Sequence, residues 1–270
     1  MSQNSLLVML VTYNEARNLR DMVRRILDLD LPADVLIIDD NSPDGTGHIA
    51  EELARIHPCV LPMHRARKLG IGSAHLTGIR YAYEAGYKFL VTLDADFTHI
   101  PEYIPAFLES GITHDVVVGT RFQRKDSLLE WALFRKVMTH LSHFLTRTLV
   151  GLPYDATGAF RLYRLDHIDP GIFELVRGRD YEFFFESLTI LHLNRYHIAQ
   201  VPISLPARAN GSSKMQVRHM LRGLLYLLRL AAVVRLAGQR LRHLPSGASV
   251  NVMRIPDQRL PSLHRKSSVR

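Results

Sequence analysis

A single cysteine, Cys59, in 270 residues excludes an internal disulfide framework and a four-thiolate zinc site, so the fold stands on its core alone. No G-x-G-x-x-G follows the first apolar run, where Thr12, Tyr13, Asn14 and Glu15 stand instead, and this excludes the usual dinucleotide fingerprint. The fourteen histidines offer no H-E-x-x-H spacing; His140, His143, His192 and His197 read as surface or packing residues, and His99 as a neighbour of the chemistry. No basic segment precedes Leu6, so no secretory leader is expected and the chain reads as cytoplasmic. The longest apolar stretch, Met220 to Leu241, is interrupted by Arg222, Arg229 and Arg235, and a central arginine costs roughly 2.5–3.5 kcal/mol on insertion. Acid is scarce at one end: Ser187 to Arg270 holds fourteen Lys and Arg against Asp257 alone, in a chain of formal net charge +8. That asymmetry points the C-terminal side toward something anionic.

What is present is a series of short Val-, Ile- and Leu-rich runs, at Leu6–Val11, Val35–Asp39, Phe89–Leu93 and Asp115–Gly119. Helix-patterned segments lie between the first three: Glu15–Leu29, Thr46–Ile56 and one including Gly78–Ala85. This is the form of βαβ units, and it predicts an α/β fold with a mixed, mostly parallel sheet flanked by helices. On a helix Arg218, Arg222, Arg229 and Arg240 gather on one side, opposite a wide Leu, Val and Tyr face. That pattern suits an amphipathic helix at a membrane interface, or else a helix packed on the domain or a partner subunit. Beyond Pro245 the chain is Ser-, Pro- and Arg-rich and reads as a basic tail. The expected division is 1–215 for the catalytic domain, 216–243 for the amphipathic helix and 244–270 for the tail.

Two strand ends carry acid pairs. Ile37 and Ile38 run into Asp39 and Asp40, then Asn41–Thr46, of which Asp44–Thr46 also suits a turn and helix cap. A paired Asp closing a buried strand is costly without a ligand, so Asp40 is expected to meet a nucleotide. Downstream, Asp94-Ala95-Asp96 places two carboxylates at i and i+2, which project to one side if the chain is extended. A divalent cation relieves their repulsion, and Mg²⁺ or Mn²⁺ suits such hard oxygens with a substrate diphosphate completing the shell.

The ordered set Val11–Glu15, Ile37–Thr46, L-G-I-G-S-A (Leu69–Ala74), D-A-D-F-T-H (Asp94–His99), G-T-R-F (Gly119–Phe122), D-A-T-G-A-F-R-L-Y-R (Asp155–Arg164) and V-P-I-S (Val201–Ser204) resembles the dolichyl-phosphate mannosyltransferase and polyprenyl-phosphate sugar synthase branch of the inverting glycosyltransferases of family 2. The resemblance spans about residues 6–230 and implies a GT-A type nucleotide-diphospho-sugar transferase fold. It implies that Tyr13, Glu15, Ile38 and Asp40 hold the nucleoside, and that Asp94 and Asp96 bind the metal, with the backbone of Ala95 near the sugar nucleotide. It further implies that Arg121 approaches phosphate and that Arg208 and Lys214 close over the donor. Arg135 and Thr139 lie where the family faces the lipid phosphate. Val11, Thr98 and Phe184 depart from the family's usual residues and leave the donor open.

The implied reaction moves a hexose, mannose from GDP-mannose or glucose from UDP-glucose, to a polyprenyl phosphate at the cytoplasmic face of a membrane. A membrane partner subunit is one option that the sequence leaves open. A phosphate acceptor needs no general base, whereas a saccharide or lipid hydroxyl would, and Asp155 or Glu186 would then serve. Without that role, Asp155 reads as a capping or sheet-edge acid and Glu186 as a surface or Arg-paired one. A nucleic-acid partner is not expected, because no aromatics alternate with the basic residues and the aspartates would go unexplained. A silent scaffold on a transferase fold is the remaining alternative.

Overall fold

The computed structural model describes residues 4–124, 127–128, 131, 133–206 and 217–243. In chain order the elements are β1 (Leu6–Thr12), α1 (Leu19–Leu27), β2 (Ala33–Asp39), α2 (Thr46–Ile56), β3 (Val60–His64), α3 (Ile71–Glu84), β4 (Phe89–Asp94) and α4 (Ile104–Gly111). There follow β5 (Val116–Thr120), α5 (Leu133–Val150), β6 (Arg161–Arg164), α6 (Gly171–Glu174), α7 (Glu182–Leu193), β7 (Ile198–Pro202) and α8 (Val217–Ala237). Seven strands form one sheet in the order β3-β2-β1-β4-β6-β5-β7. All neighbours run parallel except β6, which is antiparallel to both β4 and β5.

The continuous apolar runs of β1 and β2 follow from burial on both faces of the sheet. Leu7, Met9, Leu36 and Ile38 face one side, with residues of α3, α7 and α8. Leu6, Val8, Leu10, Val35 and Ile37 alternate to the other, against α1, α2 and α4. Each such side chain contributes about 1.5–3 kcal/mol of burial free energy. A β-carbon on Gly78 would collide with Met9, so this glycine lets α3 lie close on the sheet. Because β1, β2, β4 and β5 are parallel, Thr12, Asp39, Asp94 and Thr120 all end on one sheet edge. The reversed β6 brings its start, Phe160–Arg161, to that same edge.

The structure sets the bounds of three expected helices, and the first and last differ from expectation. The helix expected from Glu15 begins at Leu19, since the Glu15 amide donates to the Thr46 hydroxyl and the Ala16 amide to the Asp44 carboxylate. These bonds hold a turn behind Asn14, whose φ is 56°. The helix expected around Gly78 starts at Ile71, just after Gly70, where φ is +95° and a β-carbon would strike the Arg179 carbonyl. The long C-terminal helix changes at Gly238 into a 3₁₀ turn.

Helix α8 buries Leu227, Leu230 and Ala231 in the core beside α7 while Leu221, Leu225, Leu228 and Leu236 stay exposed. The packed-helix reading therefore describes one side of α8, and an apolar face remains outside. Helix α5 also exposes Leu133, Phe134, Val137 and Phe144. Among the described residues no helix is long and apolar enough to cross a membrane.

Candidate active site

At the end of β2, Asp40 is buried and accepts from Arg65 Nη1 at 2.6 Å. Arg65 Nη2 donates in turn to Ser73 Oγ at 2.8 Å. Burial pushes the Asp40 carboxyl above its ordinary range and the Arg65 guanidinium below its own, although each favours the other's charge. Lys68 Nζ lies 3.9 Å from the centre of the Tyr13 ring, a cation–π contact beside Asp40. Asp39 shapes the loop by accepting from Thr12 Oγ1 and from the Ser42 amide at 3.1 and 2.9 Å. Glu15 turns its carboxylate to Asn18 Nδ2 at 2.8 Å. The Ile38 side chain is wholly buried in the core with residues of α3, because alternation along β2 directs it to that face.

The acid pair on β4 also departs from expectation. The strand stops at Asp94, so the two carboxylates do not share an extended segment. Ala95 is buried, and Asp96 Oδ1 folds back to accept from the Thr98 amide and hydroxyl at 3.1 and 2.6 Å. Phe97 between them has φ 63°, a left-handed conformation that costs an L-residue about 1–2 kcal/mol and marks a tightly specified turn. His99 Nδ1 accepts from the Asp94 amide at 2.9 Å, which leaves the neutral ring's proton on Nε2. Thr98 and His99 thus brace the two aspartates.

Asp94, with 32% of its side chain exposed, and Asp96 are hard-oxygen donors that fit Mg²⁺ or Mn²⁺. Among the described residues no group of three or more His, Cys, Asp or Glu could hold a metal. Two such carboxylates would leave the remaining positions of a cation to water and substrate phosphate.

A cavity of about 660 Å³ opens from this edge. One part of its lining is polar: Asp94, Thr98, His99, Arg121, Arg135, Thr139 and Thr157. The other is apolar and comes mainly from α5 and α8, with Trp131, Phe134, Met138, Leu141, Leu221 and Leu224. The structure thus brings Asp94, Arg121, Arg135 and Thr139 to one cavity, while Tyr13, Glu15 and Asp40 gather at the ends of β1 and β2. Arg208 and Lys214 lie outside the described residues.

Arg121 reaches the cavity already paired. Its Nε donates to Asp155 Oδ2 at 2.7 Å and its Nη2 to Asp155 Oδ1 and, at 2.6 Å, to Thr157 Oγ1. Burial alone would raise the Asp155 carboxyl, but the guanidinium outweighs it and holds the carboxyl below its ordinary range. Burial would likewise lower Arg121, and Asp155 raises it instead. Asp155 is therefore the buried partner of an arginine rather than a sheet-edge cap, and it is unsuited to take a proton. Glu186 is buried and far from the surface role expected of it. It accepts from the amides of Arg177 and Gly178 at 3.0 and 2.6 Å and from Tyr226 of α8 at 2.8 Å.

Arg135 lies over Trp131, 3.6 Å from the ring centre, so this buried tryptophan is a platform for the cation. His143 stacks on Phe122 at 4.0 Å between ring centres, and His140 tilts against the same ring at 5.4 Å. These contacts tie α5 to the G-T-R-F segment.

Sequence reasoning missed Arg65, Lys68, Thr157 and Arg161. The first two follow β3 at the same sheet edge, a position that could have found them. Arg161 is 0% exposed and among the described residues donates to neutral oxygens: Ala156, Gly158 and Phe184 carbonyls and the Tyr163 and Ser187 hydroxyls. It pins the loop that carries Thr157 and leaves a buried positive charge behind the cavity wall.

Comparison with known proteins identifies the family and the fold. The family model described as "Glycosyl transferase family 2" matches residues 7–171. The chain is 35% identical over 210 residues to an undecaprenyl-phosphate mannosyltransferase of Micrococcus luteus, covering 77% of this chain and 86% of that one. It is 34% identical over 212 residues to a polyprenol monophosphomannose synthase of Mycolicibacterium smegmatis, covering 77% and 80%. In fold it is similar to glucosyl-3-phosphoglycerate synthase from Mycobacterium tuberculosis, solved with Mn²⁺, UDP and product, at a TM-score of 0.54, 18% identity and coverage of 92% and 84%. The chain belongs to glycosyltransferase family 2, in the branch of the dolichyl-phosphate mannosyltransferases and polyprenyl-phosphate sugar synthases, and has the GT-A fold.

Proposed function

We propose that the protein transfers one hexose from a nucleotide sugar to a polyprenyl phosphate with inversion at the anomeric carbon, and that the hexose is mannose from GDP-mannose. The observation that carries this reading is the cavity, whose cationic and hydroxyl groups, Arg121, Arg135 and Thr139, adjoin an apolar wall from α5 and α8. A phosphate head and an isoprenoid tail need that combination. Mannose is preferred over glucose because the two curated relatives are named for it; UDP-glucose is the donor to test beside GDP-mannose.

In this reading Asp40, Tyr13 and Glu15 surround the nucleoside, with Arg65 and Lys68 added to them. Asp94 and Asp96 hold Mg²⁺ or Mn²⁺, which supplies charge neutralisation to the departing diphosphate. Arg208 and Lys214 close over the donor. Arg121, Arg135 and Thr139 hold the acceptor phosphate so that its oxygen faces the anomeric carbon opposite the leaving group. The phosphate is already ionised at neutral pH, so no residue has to remove a proton, in keeping with an Asp155 locked to Arg121.

The open apolar faces of α5 and α8 and the basic C-terminal side set the enzyme on the cytoplasmic membrane surface that carries its acceptor. Residues 1–215 form the catalytic domain, 216–243 its membrane-facing helix and 244–270 a basic tail. Arg135→Met tests the assignment: transfer of label from GDP-mannose to a short polyprenyl phosphate should fall roughly 10²–10³-fold, as for loss of an electrostatic donor, with donor binding unchanged. An Arg135→Met enzyme of full activity would refute the phosphate site.

A further inference from the structure

We infer that Asp155 is a positioning residue for Arg121, turning a single corner of its guanidinium, Nη1, toward the acceptor. The inference rests on the proposed phosphate site. Its observation is the hydrogen inventory of Arg121. The one hydrogen of Nε goes to Asp155 Oδ2, and the two of Nη2 go to Asp155 Oδ1 and Thr157 Oγ1. Only Nη1 has no partner among the described residues, and Arg121 lines the cavity.

The holder is itself held. Asp155 is 1% exposed, also accepts from the Arg121 amide at 3.1 Å, and donates its own amide to Gln200 Oε1 on β7 at 3.0 Å. Thr157 belongs to the loop that Arg161 pins through the Ala156 and Gly158 carbonyls. The usual two-pronged grip of arginine on phosphate through Nε and Nη2 is thus spent on a carboxylate. Arg121 fixes where the phosphate sits by one corner, and its rotation about that corner is set by Arg135 and Thr139. Asp155 also fixes the rotamer of a long side chain before the acceptor arrives, which removes an entropy cost from binding.

Asp155→Asn keeps the shape and removes the charge. With GDP-mannose and a short-chain polyprenyl phosphate as probes, the acceptor KM should rise about tenfold or more, with kcat falling less and the donor KM within about twofold. In an Arg121→Met background the same change should add less than about twofold, because the two residues act as one unit. A full, additive effect of Asp155→Asn in that background would overturn the inference, as would a loss confined to kcat with a vanished limb of the pH profile, which is the signature of a base. If Asp155→Asn fails to fold, Thr157→Val releases one Nη2 hydrogen and should raise the acceptor KM alone; an unchanged acceptor KM would contradict the inference. Should Arg121→Met leave the acceptor KM unaltered, the phosphate site itself is misplaced; should Arg121→Met raise it while Asp155→Asn is silent, only the positioning role fails.

Discussion

At the scale of single residues, the site is a set of charges taken out of water and paired in advance. Asp40 with Arg65 is the clearest case, since both side chains are buried where β2 and β3 end. Removing one partner strands the other, and breaking a buried pair costs about 3–5 kcal/mol. Arg65→Met should therefore lower the stability of the protein by about that amount in chemical denaturation and weaken donor binding; an unchanged midpoint would show that the pair is solvated. Thr98 gives a second test, because its hydroxyl and amide hold Asp96 Oδ1. A hydrogen bond to a charged group contributes about 1.5–3 kcal/mol, so Thr98→Val should reduce transfer by roughly tenfold or more and raise the metal concentration needed for half activity. Asp40, Asp94 and Asp96 were legible from sequence as acids at or just past the ends of buried strands. Arg65 was not, because its pairing with Asp40 runs through the β2–β3 register, and the turn at Phe97 was not, because nothing in D-A-D-F-T-H announces a left-handed phenylalanine.

At the scale of elements, α7 and α8 show what packing adds to pattern. Four strands and the helix at Thr46–Ile56 were legible because apolar runs and periodicity are local signals. Strand β6 escaped, since four residues that begin with Arg161 and end with Arg164 carry no such run, and so did the burial of Glu186. That carboxylate joins the loop at Arg177–Gly178 to Tyr226 on α8, and Arg222 of α8 reaches Glu182 at 3.3 Å. Burial raises the Glu186 carboxyl above its ordinary range. A folded-state value above the unfolded one means that its share of stability is full below the ordinary glutamate value and declines as pH rises through the folded value. Glu186→Gln should flatten that decline in the melting temperature measured across acid to neutral pH. Glu186→Ala should lose about 1–3 kcal/mol by orphaning buried amides and loosen α8, seen as faster amide exchange there; equal behaviour of the two variants would remove Glu186 from this role.

At the scale of the whole molecule, one sheet edge collects the chemistry and one flank presents apolar helices. The topology makes this inevitable: parallel strands end together, and the reversed β6 returns the Asp155–Phe160 loop to the same edge. The charge asymmetry pointing to the C-terminal side was legible in composition, whereas the sharing of one cavity by α5 and α8 depends on contacts between distant segments. If that flank meets lipid, Leu225→Glu with Leu228→Glu should abolish flotation with anionic vesicles and spare turnover of a short, water-soluble polyprenyl phosphate. Loss of both would place these leucines in the fold instead. The most direct test of the central claim is to offer the enzyme, with Mn²⁺ and labelled GDP-mannose, a polyprenyl phosphate and the matching polyprenol in parallel. The account predicts a mild-acid-labile labelled lipid from the phosphate alone; label on the polyprenol would contradict it and require a general base that the locked Asp155 cannot supply.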